Sequence, residues 1–198
     1  MFKKVLIIVI IIGAAAFWYF GYGPGKSTGG TADNSNLPPI RVDESSLTKA
    51  GQDKLAEVKK SVRRLQRSRN RTWRELKQAE KIATTLRKLG DYRAAAEWNE
   101  MVIEWYEALT PEELDRGKKH DSDFENTVFG GYSNASICHF LLGDRKRGRE
   151  LMEAYLKKYP DNGLGREAMK WNYYTLRTNP DSFLEFCRGV GARPEYVK

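Results

Sequence analysis

Cysteine and histidine are nearly missing from this sequence: only two of each stand among its 198 residues. Cys138 and Cys187 lack CxxC spacing and have no histidine cluster around them, which excludes the common metal-binding frameworks. His120 lies in Lys-Lys-His-Asp-Ser-Asp-Phe-Glu, a string with ligand-type residues but no metal spacing, and it reads as a polar loop. His139 lies in an apolar helical stretch and reads as a packed side chain. The Gly-x-Ser-x-Gly match at Gly25-Lys26-Ser27-Thr28-Gly29 falls in a Gly/Ser-rich stretch without a preceding strand, and His-Glu-x-x-His and paired-acid patterns are absent, so nucleophile, base and metal roles find no candidates. No enzymatic activity, cofactor or metal is expected. The two cysteines could pair in an oxidising compartment, although a buried reduced thiol is equally ordinary in their apolar contexts.

Net charge is also missing from most of the chain. Residues 54–81 hold eleven Lys/Arg against three Glu, and this excess of eight is the whole net charge of +8. Any electrostatic partner is therefore sought by one segment. Mean hydropathy is −0.64 despite a very apolar start, so the rest of the chain is strongly polar and suited to one soluble domain.

Lys3 and Lys4 precede 21 uncharged residues, 5–25, whose centre is rich in Ile and Val and whose end carries Trp18, Tyr19 and Tyr22. At about 1.5 Å per residue this run suffices to cross a hydrocarbon core of roughly 30 Å, with its aromatic rings at headgroup level. Ala14-Ala15-Ala16 offers a signal-peptidase alternative. The continuation through Phe17 to Phe20 favours a retained anchor over residues 1–22. Positive charge before the span predicts a cytoplasmic N-terminus and an exported C-terminal domain, which in a bacterium means the periplasmic side of the inner membrane. A receptor facing the cytosol from an organelle membrane is the alternative. Residues 23–42 are rich in Gly, Ser, Asn and Pro and read as a flexible linker spanning about 25 Å. Its Gly-Lys-Ser lacks the upstream glycine and strand of a phosphate loop.

Residues 43–71 read as a basic amphipathic helix, with Leu47, Leu55, Val58, Val62 and Leu65 near a helical period. Its cations continue into the next segment: Lys59, Lys60, Arg63, Arg64, Arg67, Arg69, Arg71 and Arg74. They form a basic patch suited to an acidic protein or anionic lipid headgroups. Nucleic acid is disfavoured because the domain is expected to be exported and no aromatic stands among the cations from Lys59 to Arg71. Thr72 and Glu75 form a capping-box signal, so a helix carrying Trp73, Leu76, Ala79, Ile82, Ala83 and Leu86 should start there and end near Gly90.

Residues 76–109 then place a small residue, Ala83, seven before the turn Gly90-Asp91, and Ala95 five after it. Residues 129–162 repeat the arrangement around Gly143-Asp144, with Ser136 seven before, Gly148 five after and Pro160 closing the unit. This pattern resembles the tetratricopeptide repeat family, a 34-residue helix-turn-helix unit in which small residues let two antiparallel helices touch. His139 and Arg145 depart from the family's usual aromatics. The two turns are 53 residues apart, so residues 110–128 read as an insertion, with helix starts at Thr110-Pro111 and at Ser122 with Glu125. Residues 164–177 and 181–190 read as a divergent terminal helix pair.

The expected fold is all-α: an N-terminal transmembrane helix, then a short repeat-like α-solenoid over residues 72–198. The resemblance implies a concave partner-binding groove lined by Lys77, Glu80, Thr84, Arg87 and Lys88 from the first unit and by Ser133, Ile137 and Phe140 from the second. The expected partners are other proteins, those of a membrane complex, with the chain as scaffold or accessory subunit. A periplasmic chaperone-like client binder and an anionic lipid or polyanion-binding module are the alternatives.

Overall fold

The computed structural model describes residues 36–68 and 70–198. The expected anchor, most of the linker and Arg69 lie outside the described residues. Among the described residues the chain is helical throughout and no helix is long and apolar enough to cross a membrane.

Among the described residues eight α-helices follow a single 3-10 turn, Glu44–Ser46: α1 Lys49–Arg67, α2 Trp73–Lys88, α3 Tyr92–Glu107, α4 Pro111–His120, α5 Asn126–Leu141, α6 Arg145–Lys158, α7 Gly163–Thr178 and α8 Pro180–Gly189. Local chemistry sets most of these limits. Thr72 caps α2 by accepting from Arg74 N at 3.3 Å, while Glu75 accepts from Thr72 N at 3.1 Å, which completes the capping box. Thr110 accepts from Glu113 N at 3.3 Å and starts α4 just before Pro111. The Ser122–Glu125 cap does not form. Residues 122–125 make a turn instead, in which Phe124 N donates to Asp121 O at 3.0 Å and sends its ring into the core. The basic helix is shorter than expected, because residue 68 is already extended, with ψ 133°.

The two Gly-Asp turns are built alike. Three residues separate α2 from α3 and three separate α5 from α6, with Gly90 and Gly143 both at φ 83°, a left-handed conformation that glycine adopts without a Cβ penalty. Asp91 N reaches back to Leu86 O at 3.0 Å, and Asp144 N to His139 O at 2.9 Å, the Schellman closure of a helix end. The same aspartates then cap the following helices, accepting from Ala94 N at 3.0 Å and from Arg147 N at 3.1 Å. Each cap contributes about 1 kcal/mol. Ala83, Ala95, Ser136 and Gly148 are all buried at the crossings, and Ser136 Oγ donates to Gly148 O at 2.6 Å.

Packing follows chain order: α1 on α2, α2 on α3, α3 on α5, α5 on α6, α6 on α7, and α7 on α8. The apolar core runs through the stack in two large clusters. One centres on Trp98, Leu76 and Phe124, the other on Tyr155, Met169 and Phe183. The order breaks at the C-terminus, where α8 turns back onto α5 and the tail returns to α1. There Leu47 and Val197 form an antiparallel bridge, and Thr48 N donates to Tyr196 O at 3.0 Å.

The described end of the linker is docked as well. Leu37, Ile40 and Val42 pack on the core, and the buried indole of Trp98 donates Nε1–H to Pro38 O at 3.0 Å. A buried indole needs such an acceptor, which fixes this stretch against α3.

Candidate partner-binding surface

The expected groove residues fall into two groups. Lys77, Glu80, Thr84 and Lys88 project from α2 into an open depression of about 620 Å3, which Lys54, Glu57 and Lys81 also line and Tyr196 borders. Lys77 Nζ lies 2.6 Å from Glu80 Oε2 and 3.2 Å from Asp121 Oδ2, and its pKa is raised because these two carboxylates outweigh the opposing effect of burial. Lys81 and Lys88 have no acidic partner among the described residues. Ser133 is half-buried on α5. The depression thus offers a half-neutralised cationic surface with threonine hydroxyls, suited to an acidic polar segment of a protein.

Arg87 and Ile137 line no open groove, and Phe140 borders only a small cleft of about 90 Å3 beside Leu176 and Leu184. The ring of Phe140 meets Phe183 of α8 edge to face at 5.0 Å, and Ile137 is buried in the same cluster. Arg87 donates Nη1–H to Val190 O. Its pKa is pushed down by burial, with Arg193 nearby adding repulsion. Lys88 O accepts from Arg193 N at 2.9 Å, and Tyr92 Oη accepts from Ala192 N at 3.0 Å. The far end of the expected groove is thus filled by this chain's own C-terminus. Phe183 and Cys187 lie four apart on one face of α8, but nothing local in the sequence says that this helix turns back across the repeats.

A second feature was not anticipated. His139 is not simply packed: its Nε2 lies 2.8 Å from Glu100 Oε1, while Arg147 Nη2 donates to Glu100 Oε2 at 2.8 Å. His139 and Arg147 hold the Glu100 carboxyl at about 2 against the opposing effect of burial. The cluster ties α3 to α5 and α6 beside a depression of about 790 Å3. The other histidine, His120, stacks on Trp73 at 5.5 Å. Among the described residues no group of His, Cys, Asp and Glu is placed to hold a metal ion.

The basic patch divides too. Lys59 is paired with Glu44. The Arg71 guanidinium sits 5.0 Å over the Trp105 ring and that of Arg74 5.4 Å over Trp73, so part of the patch does meet aromatic rings, within the chain. Lys60, Arg63, Arg64 and Arg67 remain as an exposed stripe.

Cys138 and Cys187 are free, fully buried thiols, each pushed up to about 12 chiefly by burial. On α7, Leu164, Trp171 and Tyr174 are exposed at 87%, 69% and 60%, an apolar strip at the end of the stack. No protein-family model matches the chain, and no curated protein or solved structure shows a significant similarity to it.

Proposed function

We propose that this chain is a membrane-anchored, tetratricopeptide-like interaction protein, a scaffold or accessory subunit of a membrane complex, and that it catalyses no reaction. The observation that carries the reading is the duplicated hairpin: matched turns at Gly90-Asp91 and Gly143-Asp144, matched Schellman closures, and small side chains at both crossings. Stacked hairpins of this kind present long faces to other chains. The open α2 face, with Lys77, Glu80, Lys81, Thr84 and Lys88, is the proposed docking surface. The uncharged run 5–25 would hold the domain at a bilayer.

Capture of partners by the tagged full chain from detergent-solubilised membranes tests this reading. A scaffold recovers one stoichiometric complex. Recovery of many unrelated unfolded chains supports the client-binding alternative, for which the exposed Leu164, Trp171 and Tyr174 strip would be the contact. Recovery of nothing at all argues against both.

A further inference from the structure

Helix α1 has two faces with different fates. Leu55, Val58 and Leu65 are buried on one side, with Val62 packed beside them. Lys60, Arg63, Arg64 and Arg67, at i, i+3, i+4 and i+7, form a single stripe on the other. All four are exposed, and none has an acidic partner among the described residues. The other lysines of the helix are matched: Lys49 with Asp53, Lys54 with Glu57, Lys59 with Glu44. Four like charges within roughly 11 Å of helix repel one another, and nothing else in the described fold offsets them.

We infer that this stripe docks on an anionic phospholipid bilayer, with Lys60, Arg63, Arg64 and Arg67 as the contacting cations. Charge complementarity and chain length both point there. The uncharged run ends at Gly25 and the docked chain begins at Leu37, so the intervening residues can extend at most about 40 Å. A cationic stripe held so close to a membrane meets headgroup phosphates at high local concentration. The stripe is straight, and it carries no aromatic ring on which a base could stack, which sets it apart from single-stranded nucleic-acid grooves. The inference rests on the anchored reading of the chain.

The full-length protein tests it. Gln66 is exposed beside the stripe, and both native cysteines are buried, so a single Gln66→Cys label reports on α1. The labelled protein is mixed with vesicles of phosphatidylcholine alone, or of phosphatidylcholine with phosphatidylglycerol, each carrying a headgroup-attached quencher. The expected result is flotation with both vesicles and stronger quenching with phosphatidylglycerol. High salt, or the triple variant Arg63→Glu, Arg64→Glu and Arg67→Glu, should abolish that difference. Equal quenching on the two lipids overturns the docking surface while leaving the anchor standing; stripe-dependent capture of a single-stranded oligonucleotide would then assign the cations to nucleic acid. Flotation with phosphatidylglycerol vesicles alone, weakened on the order of 100-fold in the triple variant, supports the surface and overturns the anchor. No flotation with either vesicle overturns both.

Discussion

The backbone of Gly51 passes directly beneath the carbonyl of Tyr196: a β-carbon at position 51 would lie 2.2 Å from that oxygen. The contact closes a clasp in which Thr48 Oγ1 donates to Glu195 O at 2.6 Å, Lys198 N to Ser46 O at 2.9 Å, and Lys198 Nζ to Ser45 O at 2.7 Å. The C-terminal tail is thus bound to the first turn of α1, and the helix can approach it only because residue 51 has no side chain.

Gly51→Ala should therefore destabilise the domain, although alanine improves helix propensity by about 1 kcal/mol. Hydrogen exchange at the Arg193 and Lys198 amides should accelerate well before global unfolding. A variant more stable than the parent, with the tail amides still protected, would contradict the clasp.

The second Gly-Asp turn allows a clean measurement of backbone strain. A β-carbon on Gly143 would meet nothing within 4 Å, so Gly143→Ala adds only the cost of φ 83°. A loss of about 1 kcal/mol is expected in denaturant titration. Gly143→Asn, which tolerates the left-handed region better, should lose less. Equal losses would mean that the turn relaxes to another shape.

Glu100 gives the fold an acid-sensitive joint. Its carboxyl is held at about 2, below the ordinary carboxylate value of 4.5, so its contribution is fully present above 4.5 and is lost as pH falls toward 2. Glu100→Gln should cost about 1–3 kcal/mol near neutrality, because Arg147 and His139 lose their carboxylate partner. The variant's stability should then vary less than the parent's between these pH limits. An unchanged pH profile would place the acid sensitivity elsewhere.

Both thiols should resist modification in the folded chain. Burial and a pKa near 12 leave Cys138 and Cys187 almost wholly protonated and unreachable at pH 8. A disulfide reagent should react with neither thiol in native protein and with both in denaturant. Fast reaction of Cys187 alone would show that α8 opens from α5.

The parts of the fold legible in the sequence were those with local causes. The Thr72 capping box, the Thr110-Pro111 start and the two Gly-Asp turns are written within five or six residues, and the helices begin and end where those signals put them. Ser122 carried a similar signal and was overruled, because burying Phe124 against α4 and α3 outweighs a surface cap. The ring lies so close that a β-carbon on Gly117 would meet it at 2.5 Å. Of the expected groove, the α2 half stays open because only polar residues project there. The Phe140 and Ile137 half is covered because an apolar surface was available to α8. The Glu100, His139 and Arg147 cluster joins three helices across 47 residues, and no local spacing announces it.

The most direct test of the proposed role is to reverse the charge of the open α2 face without disturbing the core. Lys81 and Lys88 have no carboxylate partner among the described residues, so Lys81→Glu with Lys88→Glu should leave the melting temperature nearly unchanged. Capture of membrane partners by the full-length double variant should fall at least tenfold relative to the parent, a loss of about 1.4 kcal/mol. Recovery of the same partners in the same amounts, from a variant that melts like the parent, would contradict the account.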